Sequence, residues 1–179
     1  MTHISTQAML SLVLGRVCHD LASPLGGVQF ALETNDLDAM QSQMERLLTR
    51  FNFIRLLVMS QPTLEQILLL YEDYAPKIRV HSTIKNNIEQ KRNKCFLIML
   101  VILEKILYQG GEIIIDKDQI IGKGRIFLTT DWHDYQNDDT SLSYKTSFLA
   151  WLELSAREIN CSAKWTTDEN MVSCELICL

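Results

Sequence analysis

The sequence predicts an α+β protein in which a helical hairpin precedes an α/β sandwich. Apolar residues recur at alternating spacings of three and four from Leu10 to Ala31 and from Leu37 to Val58, the pattern of helices packed side by side. After Pro62, helical and strand-like segments follow in the order α-β-α-β-β-α-β-β, which is typical of one mixed sheet with helices on one face. Apolar residues make up 47% of the chain, which is ample for a core.

The first two helices are predicted to be antiparallel, because Asn35-Asp36 between them is a turn and capping signal. Beyond Phe51 the second helix is apolar nearly all round, and a hairpin alone cannot bury such a surface. A second copy of the hairpin can, so we expect a homodimer built on a four-helix bundle. Residues 1–61 then form a dimerising hairpin, and residues 62–179 form the α/β domain.

The α/β domain is expected to begin with a short helix that is capped by Thr63 and ends before Pro76. The other predicted elements are a strand at 77–84, a helix at 93–108, strands at 112–116 and 125–130 joined by a loop with Gly122 and Gly124, a helix at 143–159, and a hairpin of 161–166 and 171–178.

Charge and hydropathy exclude several classes of protein. A formal net charge of −5 argues against binding nucleic acid by phosphate neutralisation. The apolar run from Cys95 to Leu103 is far shorter than the ~20 residues that span a bilayer, and no signal peptide is evident. The five cysteines form no C-x-x-C pair, which favours reduced thiols. We therefore expect a cytoplasmic protein without a membrane or nucleic-acid partner and without a metal site.

A chemical signal lies inside the first helix, where His19 and Asp20 precede Pro24. Because proline has no N–H, the carbonyl of Asp20, four residues earlier, loses its helical donor, and an interior proline costs a helix roughly 3 kcal/mol or more. This cost indicates that the proline has a packing or a chemical purpose.

The helical pattern places His19 on the outer face of that helix. If Leu14 is heptad position a, His19 falls on f, the position farthest from the seam. Its neighbours on this face are all small, namely Gly15, Ala22, Ser23 and Gly26. Glycine in an exposed helix costs about 1 kcal/mol relative to alanine, so the pattern favours close approach by another molecule.

The stretch from Arg16 to Pro24, Arg-Val-Cys-His-Asp-Leu-Ala-Ser-Pro, resembles the phosphoacceptor box of bacterial sensor histidine kinases. It is still more similar to the ChpT-type histidine phosphotransferases of alphaproteobacterial phosphorelays, which carry a Cys-His-Asp-x-x-Ser-Pro core. The resemblance implies that His19 is the phosphoacceptor and that Asp20 tunes its imidazole. Ala22 departs from the Arg or Lys common in true kinases.

The element order of residues 62–179 is similar to that of the kinase ATP-binding domain, but the nucleotide-binding residues are absent. The helical stretch 99–106 has no asparagine to hold magnesium, and Asp131-Trp132-His133 stands where Asp-x-Gly-x-Gly is expected. A phosphate cradle needs residues without a Cβ. We therefore expect no ATP site, no cofactor bound by this chain and no ATP-dependent kinase activity, and we interpret Glu104 and Asp131 as ordinary charges.

These observations favour a histidine phosphotransferase that relays a phosphoryl group between receiver domains of hybrid histidine kinases and response regulators. The receiver would supply the Mg²⁺ and would dock on Gly15, Arg16, Ala22, Ser23, Gly26 and Gly27. Two alternatives stay open. One is an autophosphorylating histidine kinase core, and the other is a non-catalytic dimeric adaptor with a vestigial histidine box.

Overall fold

A computed structural model describes residues 6–58, 62–84, 90–128, 132 and 147–178 of the chain. Within those ranges it contains five helices and one five-stranded sheet, which confirms the α+β class. The elements are α1 Thr6–Glu33, α2 Leu37–Val58, α3 Leu64–Tyr74, β1 Ile78–Ser82, α4 Gln90–Ile106, β2 Gly111–Ile115, β3 Gln119–Lys123, α5 Ser147–Arg157, β4 Cys161–Asp168 and β5 Met171–Cys178. None of these helices is long and apolar enough to cross a bilayer.

A tight turn at Asn35 joins the two antiparallel helices of the hairpin. Asn35 adopts a φ of 53°, in the left-handed region that asparagine tolerates at helix ends. The Asp36 carboxylate then accepts a hydrogen bond from the Ala39 backbone N–H at 2.9 Å, which caps α2. The predicted helical hairpin is therefore confirmed.

The heptad seam of α2 is divided between the interior and the surface. Its d positions, Met40, Leu47 and Ile54, are partly buried. Its a positions are exposed, with Leu37 at 71%, Met44 at 41%, Phe51 at 55% and Val58 at 72%. Within one chain, half of the seam stays uncovered.

The second half begins with a capped helix, as predicted. The Thr63 side chain accepts from the Gln66 N–H and the Gln66 side chain accepts from the Thr63 N–H, which together form a capping box. From α3, the Tyr71 hydroxyl donates to the Leu100 carbonyl of α4 at 3.2 Å. Phe53 of α2 lies in the same buried core, so the end of the hairpin packs continuously with the α/β half.

The sheet is mixed, with strand order β1-β2-β3-β5-β4. Only the β1–β2 pair is parallel, and the other three pairs are antiparallel. The helix α4 is buried on nearly every side from Cys95 to Leu103, which explains its continuous apolar run. The closing hairpin of β4 and β5 is confirmed.

The strand predicted at 125–130 is wrong over its described residues, 125–128, because the strand between β2 and β5 is Gln119–Lys123. Gly122 therefore lies inside β3 and not in a loop. A Cβ there would lie 3.1 Å from the side chains of Leu103 and Leu107, so glycine lets α4 pack closely on the sheet. The Phe127 N–H donates to the Ile106 carbonyl at 3.1 Å, so this segment follows α4. Residues 129–131 and 133–146, with Asp131 and the predicted start of the last helix, lie outside the described residues.

Candidate functional site

The structure places His19 on α1 with 67% of its side chain exposed. Gly15, Ala22, Ser23 and Gly26, one or two turns away, are exposed too. A Cβ built at Gly15 or Gly26 would meet no other atom within 4 Å. The residues beside the imidazole on this helix face therefore have small side chains and leave space around the ring.

The His19 ring contacts the neighbouring carboxylate. Nδ1 of His19 lies 3.3 Å from Oδ1 of Asp20. An ionised carboxylate accepts but does not donate, so a hydrogen bond in this contact belongs to the tautomer with the proton on Nδ1. In that tautomer the lone pair is on Nε2 of the exposed ring.

Two cations lie beside the Asp20 carboxylate, one from α1 and one from α4. Only 12% of its side chain is exposed, and its Oδ2 lies 3.2 Å from Nε of Arg16, one turn earlier on α1. Nζ of Lys105, on α4, lies 3.9 Å from the same oxygen and 2.9 Å from Oε2 of Glu104. Glu104 is thus a partly buried member of this charge cluster, contrary to its interpretation as an ordinary surface charge. These ion pairs fix the carboxylate that holds the imidazole.

An arginine of α2 donates a hydrogen bond to the backbone beside His19. The helix α1 continues through Pro24, which is buried and leaves the Asp20 carbonyl without its i+4 donor. Nη1 of Arg50, on α2, donates to that carbonyl at 3.3 Å. The cost of the proline is therefore partly offset by a contact across the hairpin.

Tyr74 forms the floor behind this arginine. The Arg50 guanidinium lies 5.7 Å from the centre of the Tyr74 ring, within cation–π range. Burial raises the pKa of Tyr74 well above its usual value, and the Glu104 and Asp20 carboxylates raise it further. Tyr74 therefore stays a neutral phenol at physiological pH.

Gly27 and Arg16, two of the residues predicted to dock a receiver, lie against other side chains of this chain. A Cβ at Gly27 would lie 2.8 Å from the Gln43 side chain of α2, so this glycine faces the inside of the hairpin. The Arg16 side chain is 15% exposed and pairs with Asp20. Arg16 therefore supports the His19–Asp20 pair from within the site.

Sequence reasoning missed Arg50, Lys105 and Tyr74. A signal for Arg50 was present, because Asp20 and Arg50 are equally far from Asn35 at the centre of the turn. Residues so placed lie level in an antiparallel hairpin, and Gly27 and Gln43 obey the same relation. Lys105 and Tyr74 reach the site through tertiary packing, for which the sequence gives no comparable signal.

Two clefts meet at this cluster. One of about 780 Å³ lies between α2, α3 and α4 and is lined by Arg50 and Glu104 among other charged residues. The other, of about 350 Å³, is lined by Arg16, Lys105 and mainly apolar side chains of α4 and α5. The site therefore lies at the junction between the hairpin and the α/β half.

The chain is thus an α+β protein whose N-terminal hairpin carries an exposed histidine. A solved structure of a bacterial phosphotransferase has the same fold, with a TM-score of 0.82, 16% sequence identity and coverage of 98% of each chain. The Acinetobacter baumannii histidine kinase AdeS matches with a TM-score of 0.45 and 12% identity over 89% of this chain and 97% of that chain. No protein-family model and no curated protein sequence matches the chain.

Proposed function

We propose that the chain is a histidine phosphotransferase of a cytoplasmic phosphorelay. His19 accepts a phosphoryl group from the receiver domain of a hybrid histidine kinase and passes it to the receiver of a response regulator. The observation that carries this proposal is the exposed His19 imidazole, whose Nδ1 is held by Asp20 on a helix face of small residues. The bacterial phosphotransferase of the same fold is consistent with this chemistry.

The transfer step follows from this geometry. The Nε2 lone pair of His19 attacks the phosphorus of a receiver phospho-aspartate, an N–P bond forms, and the P–O bond to the aspartate breaks. The released aspartate carboxylate takes the bonding electrons and stays on the receiver, where Mg²⁺ neutralises its charge. Asp20 accepts from Nδ1–H throughout and stabilises the positive charge that develops on the ring. The reverse reaction delivers the group to the next receiver.

Small side chains around His19 give the receiver access to the imidazole. In-line transfer requires the phosphorus to approach within about 3–3.5 Å of Nε2, so the two backbones must come close. Gly15 and Gly26 leave open space beside the ring, and Ala22 and Ser23 add little height. A receiver can therefore seat its phosphorylated loop directly on this helix face.

The functional unit is proposed to be a homodimer. The exposed a positions of α2 recur every seven residues, from Leu37 through Met44 and Phe51 to Val58, in a continuous apolar stripe. A stripe with this period matches a second helix of the same kind. A second copy of the hairpin would cover it and complete a four-helix bundle, with each His19 on the outside.

Phosphoryl transfer from a labelled receiver tests this function. A receiver charged with ³²P is mixed with the chain and free phosphate is followed alongside the protein label. We expect acid-labile label on the wild type and none on His19→Gln. The matched control is His81→Gln, since His81 is also exposed but pairs with Glu112 on the sheet. That variant should be labelled like the wild type.

The same experiment separates the two alternatives. Label on His19 from [γ-³²P]ATP alone, without a receiver, would favour an autophosphorylating kinase core. Failure of every receiver from the source genome to label the wild type would instead favour the adaptor. Either result would overturn the relay proposal.

A further inference from the structure

Two cysteines lie opposite each other at the edge of the sheet, remote in sequence from the histidine site. Cys161 opens β4 and Cys178 closes β5, and they are register partners in this antiparallel pair. Their sulfur atoms are 3.6 Å apart. Both cysteines are free thiols, and Cys161 is buried whereas Cys178 is exposed.

The backbone around this pair already has the spacing that a disulfide requires. Directly opposed residues of antiparallel strands have Cα atoms about 4.5–5.5 Å apart, and disulfides form at about 4.4–6.8 Å. Side chains of register partners also project from the same face of a sheet. Closing the S–S bond therefore needs only side-chain rotation, and the Cys178 side chain is exposed.

A fixed positive charge lies beside the exposed sulfur. Nη2 of Arg92, near the start of α4, donates to Sγ of Cys178 at 3.2 Å. The guanidinium is held in place by a close ion pair between its Nη1 and Asp118. Reactive cysteines lie in exposed, electropositive surroundings, so this contact favours reaction at Cys178.

The neighbouring thiols lack these features. Cys95 and Cys174 are fully buried, and burial raises the pKa of the Cys95 thiol to about 12 and that of Cys174 further. Burial also raises the pKa of Cys161, and its contact with Cys178 raises it further. Cys161 is therefore the slower of the two thiols to react with peroxide.

We propose that Cys161 and Cys178 form an oxidisable dithiol site whose substrate is hydrogen peroxide. The Cys178 sulfur attacks one peroxide oxygen, an S–O bond forms as the O–O bond breaks, and the hydroxide that leaves takes the Cys178 proton to give water and a Cys178 sulfenic acid. The Cys161 sulfur then attacks the Cys178 sulfur, the S–O bond breaks, and the hydroxyl leaves as water with the Cys161 proton. The dithiol loses two electrons in total, and hydrogen peroxide gains them.

Peptide mapping of the oxidised full-length chain tests this site. The reduced protein is treated with a slight excess of hydrogen peroxide, blocked with iodoacetamide and digested without reduction. We expect a cross-linked peptide pair that joins Cys161 to Cys178 and is two hydrogens lighter than the reduced pair. It should form within the monomer band of a non-reducing gel and at a rate independent of protein concentration. Cys95 and Cys174 should be recovered reduced.

Three variants assign the roles of the residues. Cys161→Ser should retain a sulfenic acid on Cys178 that dimedone traps, whereas Cys178→Ser should leave Cys161 reduced. Arg92→Met should slow alkylation of Cys178 severalfold. Its control, Lys94→Met, removes a charge that lies 5.7 Å from the Trp151 ring centre and should leave the rate unchanged.

The wild-type result is decisive even if a variant fails to fold. Oxidation of Cys18 or Cys178 to higher acids without the Cys161–Cys178 cross-link would overturn the proposal. So would cross-linking that appears only between chains. Neither result depends on phosphoryl transfer, so this site and the proposed function stand or fall separately.

Discussion

At the residue scale, the chemistry proposed for His19 depends on one carboxylate. Asp20 touches the ring nitrogen that must keep its proton, while Arg16 and Lys105 hold the other carboxylate oxygen. Lys105 comes from α4, so the α/β half contributes directly to the charge cluster around Asp20. Under the proposed function, this contact would let the α/β half take part in orienting the imidazole.

Replacing Asp20 by asparagine tests that dependence. Asp20→Asn keeps the shape of the side chain but removes the charge that stabilises the developing imidazolium, so the transfer rate constant should fall by about 10–100-fold. Rapid-quench phosphotransfer measures the rate, and ¹⁵N NMR of His19 measures the share of the Nδ1–H tautomer, which should fall. The control is Asp38→Asn, in the first turn of α2. An unchanged rate with an altered tautomer would contradict the assigned role.

At the element scale, the hairpin is joined by the contact between Arg50 and the carbonyl that Pro24 leaves without a donor. Arg50→Met should lower the free energy of unfolding by about 1–3 kcal/mol, because it leaves a partly buried carbonyl unsatisfied. In a Pro24→Ala background the alanine N–H can reach that carbonyl, so the same substitution should cost less. Urea denaturation of the four proteins gives this coupling.

Arg55→Met is the matched control for that cycle, because Arg55 is exposed on the same helix. Its effect should stay within about 0.5 kcal/mol. Strictly additive effects of the Pro24 and Arg50 substitutions would show that the carbonyl has another donor.

The open face of α1 gives a second prediction at this scale. Gly26→Leu should fold and assemble normally, since nothing lies within 4 Å of a Cβ at this position, but the added side chain should block the receiver. We expect at least a tenfold slower transfer with an unchanged circular dichroism spectrum. Glu33→Leu adds a leucine to an exposed position two turns away and should transfer normally. Wild-type rates for Gly26→Leu would show that this face is not the docking surface.

The sequence was most informative where one element determines its own pattern. The heptad spacing of α1 and α2, the turn at Asn35 and the cap at Thr63 are local properties, and the structure confirms each of them. The strand at 125–130 failed because alternation in Ile126 to Leu128 suits any half-buried extended segment, and only tertiary packing on α4 distinguishes it from a strand. The contact of Lys105 with Asp20 was hidden for the same reason.

At the scale of the whole molecule, the hairpin and the α/β half share one core at the end of α2. Phe53, Leu56 and Leu57 are almost completely buried together with residues of α3 and α4. The exposed a positions of α2 nevertheless run along the whole helix, from Leu37 beside the turn to Val58 beside this core. One chain therefore buries one face of α2 at this end and leaves an apolar stripe along the helix.

Substitution in that stripe tests the proposed dimer. Phe51 is 55% exposed in the single chain, so Phe51→Glu should leave the fold intact, yet in a four-helix bundle it would place a charge in an apolar interface. Sedimentation velocity at micromolar concentrations should give a dimer for the wild type and a monomer for this variant. Leu69→Glu, at a position that is 68% exposed on α3 and outside the heptad stripe of α2, should stay dimeric. If both variants sediment like the wild type, the stripe is not the contact between copies and another surface must cover it. Because the proposed bundle has His19 on its outer face, a well-folded monomer should still accept phosphate, which separates assembly from chemistry.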